Sequence, residues 1–362
     1  MSRTNVVAVI VAVVLLGAGV FLSLSGLGGK MFGPLNSRMR LTPKMQLVLQ
    51  VQVQDAVKED ADRVVDSLRE ELRRAQISYT ALDRNDPATI EQVDTIRIEL
   101  KGIPADRQND LRGLISQRFP GWVLTPVSLT DYGLTPGAAE LAALKRETVE
   151  RTLARVEERL RDLGVAESAF RRSSGGPGAF EIVVQISTSV DDPARLKQIV
   201  TTRAHLEITP VKDGPFLSRE QALAKYGGVL PLDARLTKGV PPRGENSETW
   251  YLVSRTPVIT GNDLLKTSAS RDEMGRWETG FTLNKAAAQR FGRYTETNIG
   301  NRLAIVLDEL VRTAPTIQSR IEDSGVIHGA VNRKEASDLA LVLRSGSLPA
   351  RVFILEERMG SK

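Results

Sequence analysis

The side chains able to do chemistry are few and poorly placed for it. His205 and His328 are the only histidines among 362 residues, and there is no cysteine. The missing thiols exclude a cysteine nucleophile, a disulfide and a thiolate-held metal. No triad is readable around either histidine, and each lies in or beside a predicted strand, where a hydrogen-bonded structural role is the ordinary one. Residues 173–178 (Ser-Ser-Gly-Gly-Pro-Gly) have the glycines of a phosphate loop but not the lysine and helix start that must follow. They lead into a strand, which predicts a hairpin loop. Asp191-Asp192 has the look of a metal pair, yet Pro193 follows, and Asp-Pro is the signature of an N-cap and first helical residue. The arginine and carboxylate pairs of residues 69–74 and 155–161 suit solvated helix faces. The sequence therefore predicts no catalytic residue, no metal and no cofactor, in a protein that is not an enzyme.

The bulk composition agrees with a folded, non-catalytic protein. The length suits two or three units with cores of their own. Hydrophobic residues make up 41% but aromatics only 5%, so those cores are aliphatic. The charge of +5 comes from 49 basic and 44 acidic residues, interleaved along the chain. Basic clusters set among aromatics, the mark of a nucleic-acid surface, are absent.

The elements begin with an uncharged apolar run over residues 5–24, about the length a bilayer-spanning helix needs. Ser23-Leu24-Ser25 offers a signal-peptide reading, but the run exceeds the roughly 7–15 residues of a signal core, which favours an uncleaved anchor. Arg3 lies on one side, and Lys30, Arg38, Arg40 and Lys44 on the other. By the positive-inside rule that balance argues for the reverse orientation. A Gly/Pro-rich tether spans 26–43. Residues 45–53 alternate strictly, with Met45, Leu47, Leu49, Val51 and Val53 on one face, which predicts a half-buried strand. A helical stripe follows (Val57, Ala61, Val64, Leu68, Leu72), then a strand over 95–101, a helix from Pro104 and a strand over 122–127.

The same order returns after a linker over 129–147: a helix with Val149, Leu153, Val156, Leu160 and Leu163, a strand over 180–187, a helix from Pro193 and a strand over 205–211. The copies even end alike, Leu124-Thr125-Pro126-Val127 against Ile208-Thr209-Pro210-Val211. This reads as an internal duplication, against the alternative that any two α/β segments look similar. Residues 212–249 are rich in breakers and too long for a plain connection. They carry Phe216, Leu217, Tyr226, Val229, Leu230 and Leu232 between glycines and charges. Phe216, Tyr226 and Leu230 stand out among them as an adaptable apolar surface, candidate client contacts if the family resemblance described below carries its client with it. The alternative is that they pack the loop onto its own domain.

Further on, Phe281 to Leu283 predicts a strand and Asn284 a helix N-cap, with Ala287, Phe291, Tyr294 and Asn298 at helical spacing. Leu303 to Leu307 has no polar alternation, as in a strand buried on both faces, and a further strand is expected over 316–321. After a strand over 324–331, Asn332 and Glu335 form a capping box for a helix with Ala336, Leu339, Ala340 and Leu343. A final strand covers 351–356. A lone helix and strand cannot bury their faces, so this pair is expected to complete the sheet begun by the second copy. The predicted fold class is α+β: a transmembrane anchor (1–25), a tether (26–43), a first ferredoxin-like repeat (44–128), the linker, a discontinuous ferredoxin-like base (148–211 plus 324–358) and an inserted α+β head (212–323). Two chain crossings join head to base, at Val211 and Gly214 and at Ile321 and Gly325. Both contain glycine, and they predict a hinge.

Three blocks resemble one family. Residues 295–321 (TETNIGNRLAIVLDELVRTAPTIQSRI), 258–264 (VITGNDL) and 335–349 (EASDLALVLRSGSLP), closed by Glu356-Glu357-Arg358, are similar in kind and order to SecD, an accessory subunit of the export channel. The resemblance covers most of residues 149–358. It implies an accessory subunit of the Sec machinery, in which an extracytoplasmic base and head contact the translocating unfolded chain and assist its release using the proton gradient. It implies as partners a SecF-like membrane subunit that supplies the proton path, the SecYEG channel, YajC and unfolded exported proteins. It also implies a single-pass protein of the bacterial inner membrane with its bulk in the periplasm, against the positive-inside balance. The chain departs from the family pattern twice. Where a Gly-Leu-Asp-Leu-x-Gly-Gly motif is expected, residues 38–44 read Arg-Met-Arg-Leu-Thr-Pro-Lys and keep only Leu41. The family also continues past the Glu-Glu-Arg into further membrane helices, whereas this sequence stops at Lys362, as expected of a truncated or split subunit or a fragment. A reading from a different class is an anchored periplasmic scaffold with no export role.

Overall fold

The computed structural model describes residues 44–165, 168–172, 180–187, 190–228, 230–231, 233–241 and 248–360. The predicted anchor and tether lie outside them, and among the described residues no helix is long and apolar enough to cross a membrane.

The N-terminal layer is built from α1 (Val53–Arg74), β2 (Ala81–Arg84), β3 (Ile98–Lys101), α2 (Gln108–Arg118), β4 (Trp122–Pro126) and β5 (Tyr132–Pro136). Its antiparallel sheet has the order β2-β3-β5-β4. The stripe Val57, Ala61, Val65, Leu68 and Leu72 of α1 and Leu111 and Ile115 of α2 close over Ile98, Leu100 and Leu134. The expected linker over 129–147 is corrected here. β5 lies between β3 and β4, and α3 (Ala138–Asp162) runs unbroken from the end of β5. Leu141 belongs to the core of this layer, so packing holds part of the segment expected to be a linker.

The second sheet has the order β17-β1-β7-β6, with β1 (Met45–Val51), β6 (Ser168–Arg172), β7 (Glu181–Ile186) and β17 (Val352–Met359), all antiparallel. Met45, Leu47, Leu49 and Val51 face inward against Ile182, Val184 and Ile186. Val149, Val156 and Leu160 of α3 and Leu196 and Val200 of α4 (Pro193–Thr201) cover that face. β1 was expected in the first unit and is instead an inner strand of this one. Alternation tells which face of a strand is buried, not which strands flank it. The order helix, hairpin, helix, strand does recur, from α1 to β4 and from α3 through β8 (Leu206–Phe216). The closing strands diverge, however: β4 stays beside β5, whereas β8 leaves for the head.

β8 is the spine of the head. Its first half pairs with β14 (Leu303–Leu307) and β11 (Ile259–Thr260), its second half with β10 (Thr249–Ser254). β9 (Ala234–Gly239) and β15 (Leu310–Thr313) join β10 to β14, so the sheet curls back on itself. The β14–β15 turn has Asp308 and Glu309 at φ +51° and +66°, the backbone of a two-residue hairpin. A three-stranded sheet of β12 (Leu264–Arg271), β13 (Trp277–Leu283) and β16 (Ser324–His328) lies under α7 (Arg333–Arg344).

Four expectations change in the head. β8 and β16, assigned to the base, are head strands. α7 packs on β12 and β13 rather than on the second sheet, although β17 does join that sheet, beside β1. Residues 212–249 hold the end of β8, α5 (Arg219–Lys225) and β9 rather than an irregular connection. Within residues 316–321 only Thr316 makes a bridge, to Arg302; the expected second strand forms earlier, as β15, because the tight turn at Asp308 and Glu309 returns the chain directly beside β14. The N-caps hold: Asp192, Asn284 and Asn332 accept from Arg195, Ala287 and Glu335 N–H at 2.9, 3.0 and 2.9 Å, but the capping box at Asn332 does not close, because Glu335 Oε2 accepts from Val331 N–H at 2.7 Å rather than from Asn332 N–H. Asn284 opens α6 (Lys285–Thr297).

Candidate functional site

The three candidate client contacts pack inward. Phe216, 6% exposed, closes a small core with Ala222, Ala234 and Leu252, and Tyr226 and Leu230 lean on the same cluster. Tyr226 Oη–H donates to Asp213 Oδ2 at 2.7 Å, which fixes the ring from its polar end. Leu217, next in sequence, is 74% exposed. Val229 and Leu232 fall outside the described residues. The packing alternative therefore accounts for Phe216, Tyr226 and Leu230.

The four candidate hinge residues are held in place. Val211 and Gly214 lie inside β8, and Val211 N–H donates to Arg302 O at 3.0 Å. Gly214 has φ +106°, and a Cβ there would stand 2.8 Å from Trp250 O, so only glycine fits. Gly325 lies inside β16 opposite Phe281, and a Cβ there would meet Phe281 Cζ at 2.5 Å. Ile321 N–H donates to Thr295 Oγ1 at 2.9 Å. The glycines admit close neighbours across strands, and neither crossing is a free loop.

Each histidine faces a glutamate, His205 the half-buried Glu207 and His328 the buried Glu278. His205 Nε2 lies 3.5 Å from Glu207 Oε1, and His328 Nδ1 lies 3.3 Å from Glu278 Oε2. Burial pushes the Glu207 carboxyl up. Hydrogen bonding from His205 and the charge of Arg235 outweigh it and hold the group below the usual carboxylate range. Asp191-Asp192 acts as the cap expected, with Asp192 also paired to Lys334. Residues 173–178 are outside the described residues.

Two features escaped the sequence reading. The first is Arg159, taken as part of a solvated helix face and in fact fully buried. From α3 it donates to Ile199 O at 2.8 Å, to Thr202 O, to Gly346 O at 3.0 Å and to Ser345 Oγ at 3.1 Å. The carbonyl ends of α4 and α7 thus converge on one guanidinium, whose positive charge suits two helix C-termini. Burial pushes it down to about 10, so it stays charged at neutral pH. Position 159 lies in register with the seam Val149, Thr152, Val156, a signal that was legible and outweighed by residue type. The second is a cleft of about 590 Å³ between α4 and the head, with Ile199, Leu307, Ile327 and Leu339 lining its apolar part and Arg312 and Glu335 among its polar groups. It joins segments far apart in sequence and had no sequence signal.

The head sheets pack beside the antiparallel second sheet, and among the described residues there is no grouping of metal ligands. The family model for the SecDF P1 head subdomain matches residues 237–350. The Protein translocase subunit SecD of Koribacter versatilis is 35% identical over 312 residues, 86% of this chain and 57% of that protein. Its counterpart in Aquifex aeolicus is 37% identical over 218 residues, 60% of this chain and 40% of that protein. A solved structure of a membrane component SecDF that enhances protein export is 33% identical, covers 58% of this chain and 92% of its own, and has a TM-score of 0.44. The chain belongs to the SecD family. It spans little more than half the length of the first of these relatives.

Proposed function

We propose that the protein is an accessory subunit of the Sec export machinery, anchored in the bacterial inner membrane by residues 5–24 in a single pass, with its bulk in the periplasm. The observation that carries this reading is the 35% identity to a translocase subunit over 312 residues, 86% of this chain. The second sheet and the head contact the unfolded chain as it emerges and assist its release. A SecF-like membrane subunit supplies the proton path, and SecYEG and YajC complete the assembly. The second sheet is read as a ferredoxin-like base interrupted by the head.

The test is depletion and rescue. A strain depleted of its SecD is supplied with this chain joined to the C-terminal membrane segment of a longer SecD relative, and precursor accumulation is followed. Restored export supports the role. Unchanged accumulation, with the chain present in the membrane fraction, would leave an anchored scaffold as the better account.

A further inference from the structure

The strand β17 ends its sheet, and among the described residues no other strand pairs with its outer edge. Edge strands are usually blunted by charge, proline or a bulge, because their unpaired N–H and C=O groups recruit other chains. Charge guards β17 over only half its length. Glu356, Glu357 and Arg358 guard the second half, whereas Val352, Phe353, Ile354 and Leu355 carry neither charge nor proline. The border is a bulge: Val48 pairs with Glu356 and Leu49 with Ile354, which leaves Leu355 without a partner on β1. Phe353 and Leu355 are each 51% exposed on this unguarded half.

That half is also recessed. Phe353 and Ile354 form one wall of a cleft of about 570 Å³ whose other wall is Thr201 and Thr202, ending α4, with Asp308 and Glu309 of the β14–β15 turn. We propose that this half of β17 is a binding site for an extended polypeptide segment, which adds to the sheet as a further strand. The unpaired main chain selects the occupant, since a row of backbone donors and acceptors is satisfied by another extended backbone. Phe353 and Leu355 select apolar side chains on the added strand. The cleft is also lined by Arg203 and Arg351, so main-chain pairing along the edge, rather than an apolar sheet face, is what it offers an occupant. That the occupant in the cell is an exported chain rests on the proposed function; the strand-addition site does not.

The experiment uses the full chain in detergent and a fluorescent seven-residue peptide of alternating valine and threonine, read by anisotropy. Binding is expected, and an otherwise identical peptide N-methylated at alternate amides should bind at least about tenfold more weakly. Phe353→Lys and Leu355→Lys, both at exposed positions, should weaken binding by a similar factor, while Leu265→Lys on the head should not. Equal binding of the methylated peptide would overturn main-chain pairing. Equal binding by the two β17 variants, with an unchanged far-UV spectrum, would place the site elsewhere. A concentration-dependent dimer abolished by Leu355→Lys, with no peptide bound, would assign the edge to a second copy and sink the proposal. Peptide bound as expected, with export unrestored in the depletion strain, would count against the export role and leave the site standing.

Discussion

Arg159 Nε donates to Ser345 Oγ at 3.1 Å across 186 residues of sequence, tying a helix of the second sheet to the end of the helix that covers the head. The same guanidinium holds the last carbonyls of α4, so three helices meet on one buried cation. Among the described residues its hydrogen-bond partners are carbonyls and a hydroxyl, with no carboxylate. The charge is satisfied by helix ends rather than by an ion pair.

Removing that cation should be costly. Arg159→Met fills much of the volume but leaves several buried carbonyls unpaired, each worth about 1–3 kcal/mol. A loss of roughly 3 kcal/mol or more in urea unfolding is expected. A loss below 1 kcal/mol would mean that water or relaxed helix ends replace the donors.

Acid should act through Asp55. Its carboxylate, buried in the first turn of α1, accepts from Arg351 Nε at 2.8 Å, Nη2 at 2.7 Å and the Arg351 backbone N–H at 3.0 Å. Burial pushes this carboxyl up, but the hydrogen bonds and charge of Arg351 win and hold it below its ordinary value. A carboxyl lowered on folding contributes stability that is present above the unfolded value, near 3.8, and is lost as pH falls through the folded one. Stability should therefore drop below about pH 4, and Asp55→Asn should be weaker by roughly 2 kcal/mol at neutral pH with a flatter acid limb. An acid limb unchanged by Asp55→Asn would assign acid sensitivity to other carboxylates.

How much of this was legible depends on sequence distance. Caps at Asp192, Asn284 and Asn332 follow from residues three positions apart, and each is where local chemistry puts it. The alternation of β1 told its buried face but not its neighbours, β7 and β17, which lie 130 or more residues away. Arg159 was misread because arginine on a charged helix suggests solvent, while its position on the seam says otherwise. For Phe216 and Tyr226 the sequence leaves exposure and packing both open, because glycines and charges surround them along the chain. In space they surround Ala222 and Leu252.

The contact between Gly325 and Phe281 gives a cross-strand prediction. The ring lies where a Cβ would be, 2.5 Å from Cζ, so Gly325→Ala overpacks the pair and should cost about 1–3 kcal/mol. Phe281→Leu, costly alone because Phe281 is a core residue, should recover part of that loss when combined with Gly325→Ala. Strict additivity in this double-mutant cycle would show that the two do not touch.

The last prediction concerns motion at the crossings. Val211 N–H is bonded within a strand paired on both sides, to Arg302 O at 3.0 Å, and Ile321 N–H is held by Thr295 Oγ1 at 2.9 Å. Both segments are also close to the shared core, in which Ile199 of α4 packs with Leu206 and Ile208 of β8 and Leu341 and Val342 of α7. A hinge at Val211 or Ile321 would have to break these bonds and part that core. Hydrogen exchange should therefore show the Val211 amide protected at the level of the buried strand Leu303–Leu307, and Ile321 more than the exposed Leu217 amide, which is bonded only to the Gln221 side chain. If Val211 exchanges as fast as Leu217 while β14 stays protected, the crossing opens independently and the head turns there after all.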